Sequence, residues 1–374
     1  MNTPVRQRLS ISVIVALMAA FSVTLTSACD NSGSPDVGPA ANRPPTAGPP
    51  RSVLIGLGAI PISTSPEAYA LAFTGAAESA DLIMIQRAPP WAEFLPGGHI
   101  SDETESLTRL ENALLRQYSL KLLFVIDPTD PGAERSRLIG LPPGWEPSVG
   151  LENGDLAAAM TGYAAYIARN YDPEYLAIGA EINMYGERTP KKFEAFVAAY
   201  RDAYDVVKAS NPETLVFPTF QLEELQGSVG PAHPPHWDFV GAFGDRLDAL
   251  AMTTYPFLTS LASARDLDPN YYSELTNHFD GPIIIAAAGY SSLPIEDASI
   301  PGTEEDQLFY VERLRDDAES LGFELVTWLA AIDPPVSPDG VTGNFRGVGL
   351  KRPDSSEKPA WAVWAEWARR PREP

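Results

Sequence analysis

The side chains most suited to chemistry are carboxylates that closely follow apolar runs of the sequence. Glu181 is the clearest of them, because it stands two residues after the run 175-179 (YLAIG). A run with no polar face is typical of a strand that is covered on both sides in a parallel α/β sheet. The active sites of such folds lie at the carboxyl ends of the strands. The sequence therefore predicts that Glu181 is an active-site carboxylate; the alternative is a loop glutamate that caps the following helix.

Eight apolar runs recur along the chain, and each is followed by a helical pattern. The runs are 53-58, 82-86, 122-126, 175-179, 214-219, 249-254, 282-286 and 323-329. Strands that alternate with helices pair in parallel through right-handed crossovers. Eight such repeats in about 320 residues predict an α/β fold with a single (β/α)8 TIM barrel.

Helix signals separate the runs. In the segment 101-118, Asp102 is the expected N-cap and Glu105 has the spacing of a capping box. Similar apolar faces predict helices over 155-170, 189-210 and 303-321. The last helix carries tryptophans three residues apart: Trp361, Trp364 and Trp367. One stripe of this kind favours packing against the barrel over a sugar-binding platform.

Three strand ends carry short motifs that resemble a known superfamily. They are IGAEIN at 178-183, TTYPF at 253-257 and PIIIAAAGYSS at 282-292, followed by a strand with Trp328. In this order the three motifs and the strand with Trp328 resemble the fourth, sixth, seventh and eighth strand ends of the retaining (β/α)8 glycoside hydrolases. The endo-β-1,4-galactanase group is the most similar, and the resemblance runs from about residue 53 to 364.

The resemblance implies an incomplete catalytic pair. In that superfamily the fourth strand ends Gly-Asn-Glu with Glu as acid/base, and the seventh strand ends with a nucleophilic Glu. Glu181 matches the first role, Ala180 replaces the Asn, and the nucleophile position falls on Ala287. Retaining hydrolysis needs two carboxyl groups about 5-5.5 Å apart. Because alanine cannot attack the sugar, we expect the double-displacement reaction to be lost.

Four other carboxylates could substitute for the missing one in an inverting reaction, which needs about 6.5-9.5 Å between the pair. They are Asp127, Glu223, Glu224 and Asp333. Each is explained more simply as a loop cap or turn former, and Asp127 and Asp333 both precede prolines. An active glycosidase with Glu181 as acid and Asp333 or Glu223 as base is therefore the alternative function.

Side chains that could bind a saccharide follow several strands. The candidates are Arg87, Trp91, Gln221, Tyr255 and Trp328. Aromatic faces would stack on sugar rings and Arg87 would donate hydrogen bonds. Tyr255 and Trp328 are expected from the resemblance, whereas Trp91 and Gln221 are expected from position alone. Ordinary loop packing is the alternative for Trp91 and Trp328, and an oligo- or polysaccharide is the expected partner.

The sequence favours no metal or cofactor. His233 and His236 stand three apart, but the intervening prolines prevent a helical face and no third ligand is nearby in sequence. A GxGxxG loop after a strand and a phosphate loop are both missing from the sequence. GYSS at 289-292 lacks the second glycine of a serine-hydrolase elbow.

The N-terminal residues resemble a bacterial lipoprotein leader. Residues 1-28 place Arg6 and Arg8 before an uncharged run, and Cys29 is the only cysteine. Lipidation of Cys29 is the favoured interpretation; an uncleaved anchor and cleavage without lipid are the alternatives. Residues 29-50 form a Pro-rich tether, 51-370 the barrel and 371-374 a frayed tail. The expected location is extracytoplasmic, at a membrane.

The charge balance excludes some partners. The net charge is −22, and the leader carries Arg6 and Arg8 but no acid, so the mature chain is more acidic still. Such a chain is repelled by nucleic acid and anionic lipid. The leading hypothesis is a lipid-anchored barrel that binds carbohydrate without efficient hydrolysis. A structural cell-envelope lipoprotein with a vestigial cleft is the third possibility.

Overall fold

The computed structural model describes most of the predicted barrel. It covers residues 45-63, 65-229, 233-259, 261-294, 302-335 and 341-373. The predicted leader, Cys29 and most of the tether lie outside the described residues. None of the helices in the described part of the chain is long and apolar enough to cross a membrane.

In the part of the chain that the structure describes, nine strands form one parallel sheet, and nearly all of their residues are buried. They are β1 Leu54–Gly58, β2 Leu82–Arg87, β3 Lys121–Ile126, β4 Tyr175–Ile178, β5 Leu215–Phe217, β6 Thr219–Gln221, β7 Leu250–Thr254, β8 Ile283–Ala288 and β9 Leu325–Trp328. The order across the sheet is β5-β4-β3-β2-β1-β9-β8-β7-β6. Each predicted apolar run contains or overlaps one or two of these strands.

The sheet curls into a nearly closed barrel at Pro218. β5 and β6 lie at opposite ends of the sheet order, yet only Pro218 separates them in the chain. The backbone N–H of Thr219 donates to the carbonyl of Gly179 at 2.9 Å, so the start of β6 lies beside the end of β4. The predicted fifth strand is therefore one barrel position divided by a proline, which has no N–H to donate.

Ten α-helices in the described residues accompany the strands. They are α1 Pro66–Ser79, α2 Trp91–Phe94, α3 Asp102–Tyr118, α4 Gly154–Tyr171, α5 Ile182–Arg188, α6 Pro190–Ser210, α7 Leu222–Leu225, α8 Asp238–Gly241, α9 Glu304–Leu321 and α10 Pro359–Arg369. The cap of α3 is Ser101, whose side chain accepts from the N–H of Thr104, so the prediction of Asp102 was wrong by one residue.

In the described residues, two consecutive connections lack a long helix: the one from β6 to β7 has only the four-residue helices α7 and α8, and the one from β7 to β8 has no α-helix. In the described part of the connection between β7 and β8 there are only short 3-10 helices: Pro256–Leu258, Ala264–Asp266 and Ser273–Asn277. This connection therefore lies against the barrel as a folded loop, and it lines the cleft described below.

The last helix closes the barrel from outside. Trp361, Trp364 and Trp367 of α10 are at most 7% exposed, and the Trp364 indole donates to the carbonyl of Ser79 at 3.1 Å. The predicted core role of this stripe is confirmed. Residues 371-373, predicted to fray, instead pair with Arg51: its N–H donates to the carbonyl of Pro371, and the N–H of Glu373 donates back, both at 2.9 Å.

Candidate functional site

Glu181 is directed into the barrel by a strained corner after β4. Gly179 has φ +99° and Glu181 has φ +48°, both in the left-handed region. A Cβ on Gly179 would stand 2.5 Å from the Phe196 ring, so this turn requires glycine. The N–H of Glu181 donates to Thr219 Oγ1 at 3.0 Å, which fixes the corner to β6.

The carboxylate of Glu181 is fully buried and both of its oxygens are bound. Arg135 Nε donates to Oε2 at 2.7 Å, and Thr253 Oγ1 donates to Oε1 at 2.8 Å. Glu181 and Arg135 both have no solvent exposure. Because the carboxylate has no solvent exposure, a substrate could reach it only if the side chains that cover it moved.

Arg135 joins Glu181 to a second buried carboxylate. Its Nη1 donates to Asp127 at 2.9 and 3.1 Å and to Thr129 Oγ1 at 2.8 Å, while Gln86 Nε2 donates to Asp127 at 2.9 Å. Burial alone would lower the pKa of Arg135, but Asp127 and Glu181 together raise it above its usual value. Arg135 was not predicted from the sequence, because it lies in the loop after β3 and its partner Glu181 is 46 residues away.

Ala287 lies on the same face of the sheet as the Thr253 side chain that reaches Glu181. The two residues are in register between β7 and β8, beside an irregularity in the pairing. Ala287 is 1% exposed and its neighbours Ala286 and Ala288 are equally buried. Position 287 therefore contributes a methyl group, and no carboxylate, beside the Thr253–Glu181 hydrogen bond.

Glu223 and Asp333, the two candidate substitute bases, are each hydrogen-bonded or ion-paired to other residues. Glu223 accepts from Thr254 Oγ1 at 2.7 Å, the Tyr255 N–H at 2.9 Å, Gln221 Nε2 and the Tyr271 hydroxyl. Burial raises the pKa of Glu223 although these donors oppose it. Asp333 forms a buried ion pair with Lys358 at 2.7 Å. Both carboxylates hold the surrounding segments together.

Gln221 and Tyr255 are buried within the barrel mouth. The Gln221 side chain caps α7 by accepting from the N–H of Glu224 at 2.6 Å. The Tyr255 ring packs against Phe345, and its hydroxyl is buried without a hydrogen-bond partner among the described residues. Burial raises the pKa of Tyr255, and the nearby Glu181 and Glu223 raise it further. Neither side chain presents an open face to a sugar.

Arg87 and Trp328 face the helices, which corrects the prediction that they line the mouth. Arg87 forms an ion pair with the buried Glu111 of α3. The Trp328 indole donates to the carbonyl of Val348 at 2.8 Å, and its ring lies 6.1 Å from that of Trp364 in α10. Side chains alternate along a strand, so the residues preceding them, such as Gln86, point into the barrel instead.

Trp91 is buried beneath the loop that follows β3. It is 1% exposed, and its Nε1 donates to the carbonyl of Ile139 at 2.7 Å. Trp91 therefore packs beneath this loop, as the alternative interpretation expected. Its ring face is not exposed to solvent.

The rim of the barrel carries an open cleft of about 790 Å³, which is lined by both polar and apolar residues. Its walls come from the segments that follow β6 and β7, and its polar members include Gln226, Ser228, Thr259, Asp266, Asn270 and Glu274. Amide, hydroxyl and carboxylate groups of this kind exchange hydrogen bonds with neutral polar ligands. The cleft lies outside the set of residues predicted from the sequence, because its walls join distant segments.

Structural comparison finds glycoside hydrolases. An exo-β-1,4-mannosidase, Op5Man5 from Opitutaceae bacterium strain TAV5, matches with a TM-score of 0.61 and 17% identity over 87% of this chain and 61% of that one. GH5_18 from Bifidobacterium longum subsp. longum matches with a TM-score of 0.60 and 15% identity, covering 86% and 81%. Xylanase 10B from Thermotoga maritima gives 0.57 and 14%, covering 85% and 95%.

No protein-family model and no curated protein matches the sequence. The chain spans about three fifths of the length of the mannosidase. At identities of 14–17% the likeness concerns the fold alone. The chain has the parallel α/β barrel fold of these TIM-barrel glycoside hydrolases.

Proposed function

We propose that this protein is a glycoside-hydrolase-like barrel that binds a neutral saccharide and does not hydrolyse it by the retaining mechanism. The observation that carries the proposal is the closed centre of the mouth. Glu181, the acid/base position in the resemblance, is fully buried and held by Arg135 and Thr253. A catalytic acid must instead reach the glycosidic oxygen of a substrate.

The second half of the catalytic pair is missing in this proposal. Ala287 occupies the position at which the resemblance to endo-β-1,4-galactanases places the nucleophile. A methyl group forms no glycosyl-enzyme intermediate, so the reaction loses the path that divides it into two easier steps. The sequence resemblance to endo-β-1,4-galactanases is what supports the position of the lost nucleophile, and it does not specify the sugar.

The inverting alternative is disfavoured by the contacts of the remaining carboxylates. Asp333 is paired with Lys358, and Glu223 already accepts from four groups. Asp127 shares the Arg135 guanidinium with Glu181, so the space between these carboxylates holds a cation. An inverting pair needs that space for a water molecule and the sugar.

The rim cleft is the saccharide site in this proposal, because the centre of the mouth is closed. A volume of about 790 Å³ is within the range of small-ligand sites, roughly 300–1,000 Å³. The acidic chain disfavours anionic ligands. The mannosidase, GH5_18 and xylanase matches support a carbohydrate ligand by analogy of fold.

Membrane attachment is part of the same proposal. The leader resembles a lipoprotein signal, so Cys29 would carry the lipid and the tether would hold the barrel outside the cytoplasm. Labelled palmitate incorporated into the natural chain and absent from Cys29→Ser would support this anchor. An unlabelled natural chain would contradict it.

The test of function combines turnover and binding on the full chain. We expect no release of nitrophenol from aryl glycosides, together with binding on a glycan array. Binding should survive Glu181→Gln, which changes the closed centre, and should fall at least about tenfold in Asn270→Ala, which changes the exposed rim cleft. Circular dichroism checks that both variants fold.

Other outcomes would overturn parts of the proposal. Rapid turnover that Glu181→Gln abolishes would establish an active glycosidase. Absence of binding to every glycan would favour the structural lipoprotein, which is consistent with the burial of Glu181 and Arg135. Binding lost in Glu181→Gln but kept in Asn270→Ala would move the ligand from the cleft to the mouth.

A further inference from the structure

Four side chains from three segments converge beside the barrel mouth. Glu187 lies near the end of α5, Glu224 lies in α7, and His233 and His236 lie in the segment that leads to α8. One ligand atom from each of Glu187, His233 and His236 falls within 4.8 Å of the others. The folded chain thus supplies the third group that was not visible near the histidines in sequence.

The hydrogen bonds within this cluster are incomplete. His233 Nε2 lies 3.0 Å from Glu187 and 2.8 Å from Glu224 Oε2. An imidazole carries at most one hydrogen on Nε2, whether it is neutral or charged, so it can serve only one of these carboxylates. The side chain of Glu224 is 5% exposed, and its Oε2 is buried without a hydrogen-bond partner in the described residues.

We propose that these four residues bind a divalent transition-metal ion, with zinc as the best match. Two imidazoles and two carboxylates are ligands that zinc accepts in a tetrahedral site. With bonds of about 2.1 Å, such ligands lie about 3.4 Å apart, so the two short contacts of His233 must lengthen slightly and any wider pair in the cluster must close. Glu187 can move to achieve this, since its side chain is 31% exposed.

The neighbouring charges are compatible with a cation. Glu187 and Glu224 bring two negative charges, and Arg188 brings one positive charge. Arg188 Nη2 lies 3.4 Å from Glu224 Oε1, which orients the carboxylate and leaves Oε2 directed toward His233. A metal would replace the shared proton on Nε2.

The bound ion would connect α5 to the segment 233-237. The carbonyl of His233 lies 2.5 Å from the position of a Cβ on Gly227, and Gln226 and Ser228 line the rim cleft. The metal would therefore fix one wall of the cleft, in addition to its effect on stability. It is a structural site in this proposal, with no step in a reaction.

The test is zinc titration of the untagged full chain after treatment with a chelator. All variants carry Cys29→Ser, which removes the only thiol. We expect one zinc ion per chain, with an affinity that falls at least about 100-fold in His233→Gln and in Glu224→Gln. His99→Gln, at an exposed histidine outside the cluster, should bind as the parent does.

Thermal unfolding gives a second measurement. It tests zinc on the parent chain as well, so it remains informative if one variant fails to fold. Zinc should raise the Tm of the parent and of His99→Gln by at least about 2 °C and leave His233→Gln unchanged. If none of zinc, cobalt, nickel and copper binds at one ion per chain, the proposal is overturned. Equal zinc affinity in His233→Gln and the parent would also overturn it.

Discussion

The guanidinium of Arg135 is shared between two buried carboxylates, Asp127 and Glu181. Its loss would leave two negative charges in the barrel without a cation, and breaking a buried pair in this way costs about 3–5 kcal/mol. We therefore expect Arg135→Ala to lower the free energy of unfolding by that amount at neutral pH, measured by urea denaturation. Arg137→Ala is the matched control, since Arg137 is half exposed and pairs with Asp130 at the surface. Its effect should stay below about 1 kcal/mol.

The same variant has a predictable dependence on pH. Burial raises the pKa of Asp127, and Arg135 opposes this, so removing Arg135 raises the pKa of Asp127 further. A carboxyl whose pKa is higher in the folded state stabilises the fold when protonated, and that contribution is lost as pH rises through the folded pKa. The deficit of Arg135→Ala relative to the natural protein should therefore shrink as the pH falls from about 7 toward about 4. A deficit that grows toward acid, or that Arg137→Ala matches, would contradict the shared-cation interpretation.

At the scale of elements, the corner between β4 and α5 is the one that places Glu181. Gly179→Ala would put a methyl group 2.5 Å from the Phe196 ring at a φ of +99°. We expect it to cost about 1–3 kcal/mol of stability in urea denaturation. Gly75→Ala in α1 is the control, because a Cβ there meets nothing within 4 Å and should stabilise the helix by about 0.5–1 kcal/mol. Equal effects of the two substitutions would argue against the corner as a constraint.

The elements themselves could largely be predicted, because strands that are covered on both faces become continuous apolar runs. The same property hides which side chains point inward. Along β2, Gln86 bonds to Asp127 inside the barrel whereas Arg87 pairs with Glu111 outside. A run without polar alternation cannot distinguish these two faces, and a shift of one residue exchanges them. Trp328 was predicted to face the barrel mouth, but it faces the helices, for the same reason. Arg135 was missed because its contacts link residues that are distant in sequence.

At the scale of the whole molecule, the two ends of the described chain meet at the amino-terminal end of the barrel strands. Arg51 is 2% exposed, and its side chain forms an ion pair with Asp81 at 2.7 Å. The guanidinium also reaches the carbonyl of Ala368, at 3.4 Å, at the end of α10. Ala47 adds a backbone hydrogen bond to Arg369 at 2.9 Å. The barrel therefore depends on contacts between residues that are more than 300 positions apart.

Deletion of residues 371-374 tests how much this closure contributes. The deletion removes the two backbone hydrogen bonds between Arg51 and the segment of Pro371 and Glu373. At about 0.5–1.5 kcal/mol for each hydrogen bond, we expect a loss of about 1–3 kcal/mol in the free energy of unfolding, measured by urea denaturation. Deletion of Pro374 alone is the control and should change little, because both hydrogen bonds remain. A full deletion that unfolds at the same urea concentration as the control would show that the tail is a frayed end, as the sequence suggested, and that α10 and Asp81 hold Arg51 without it.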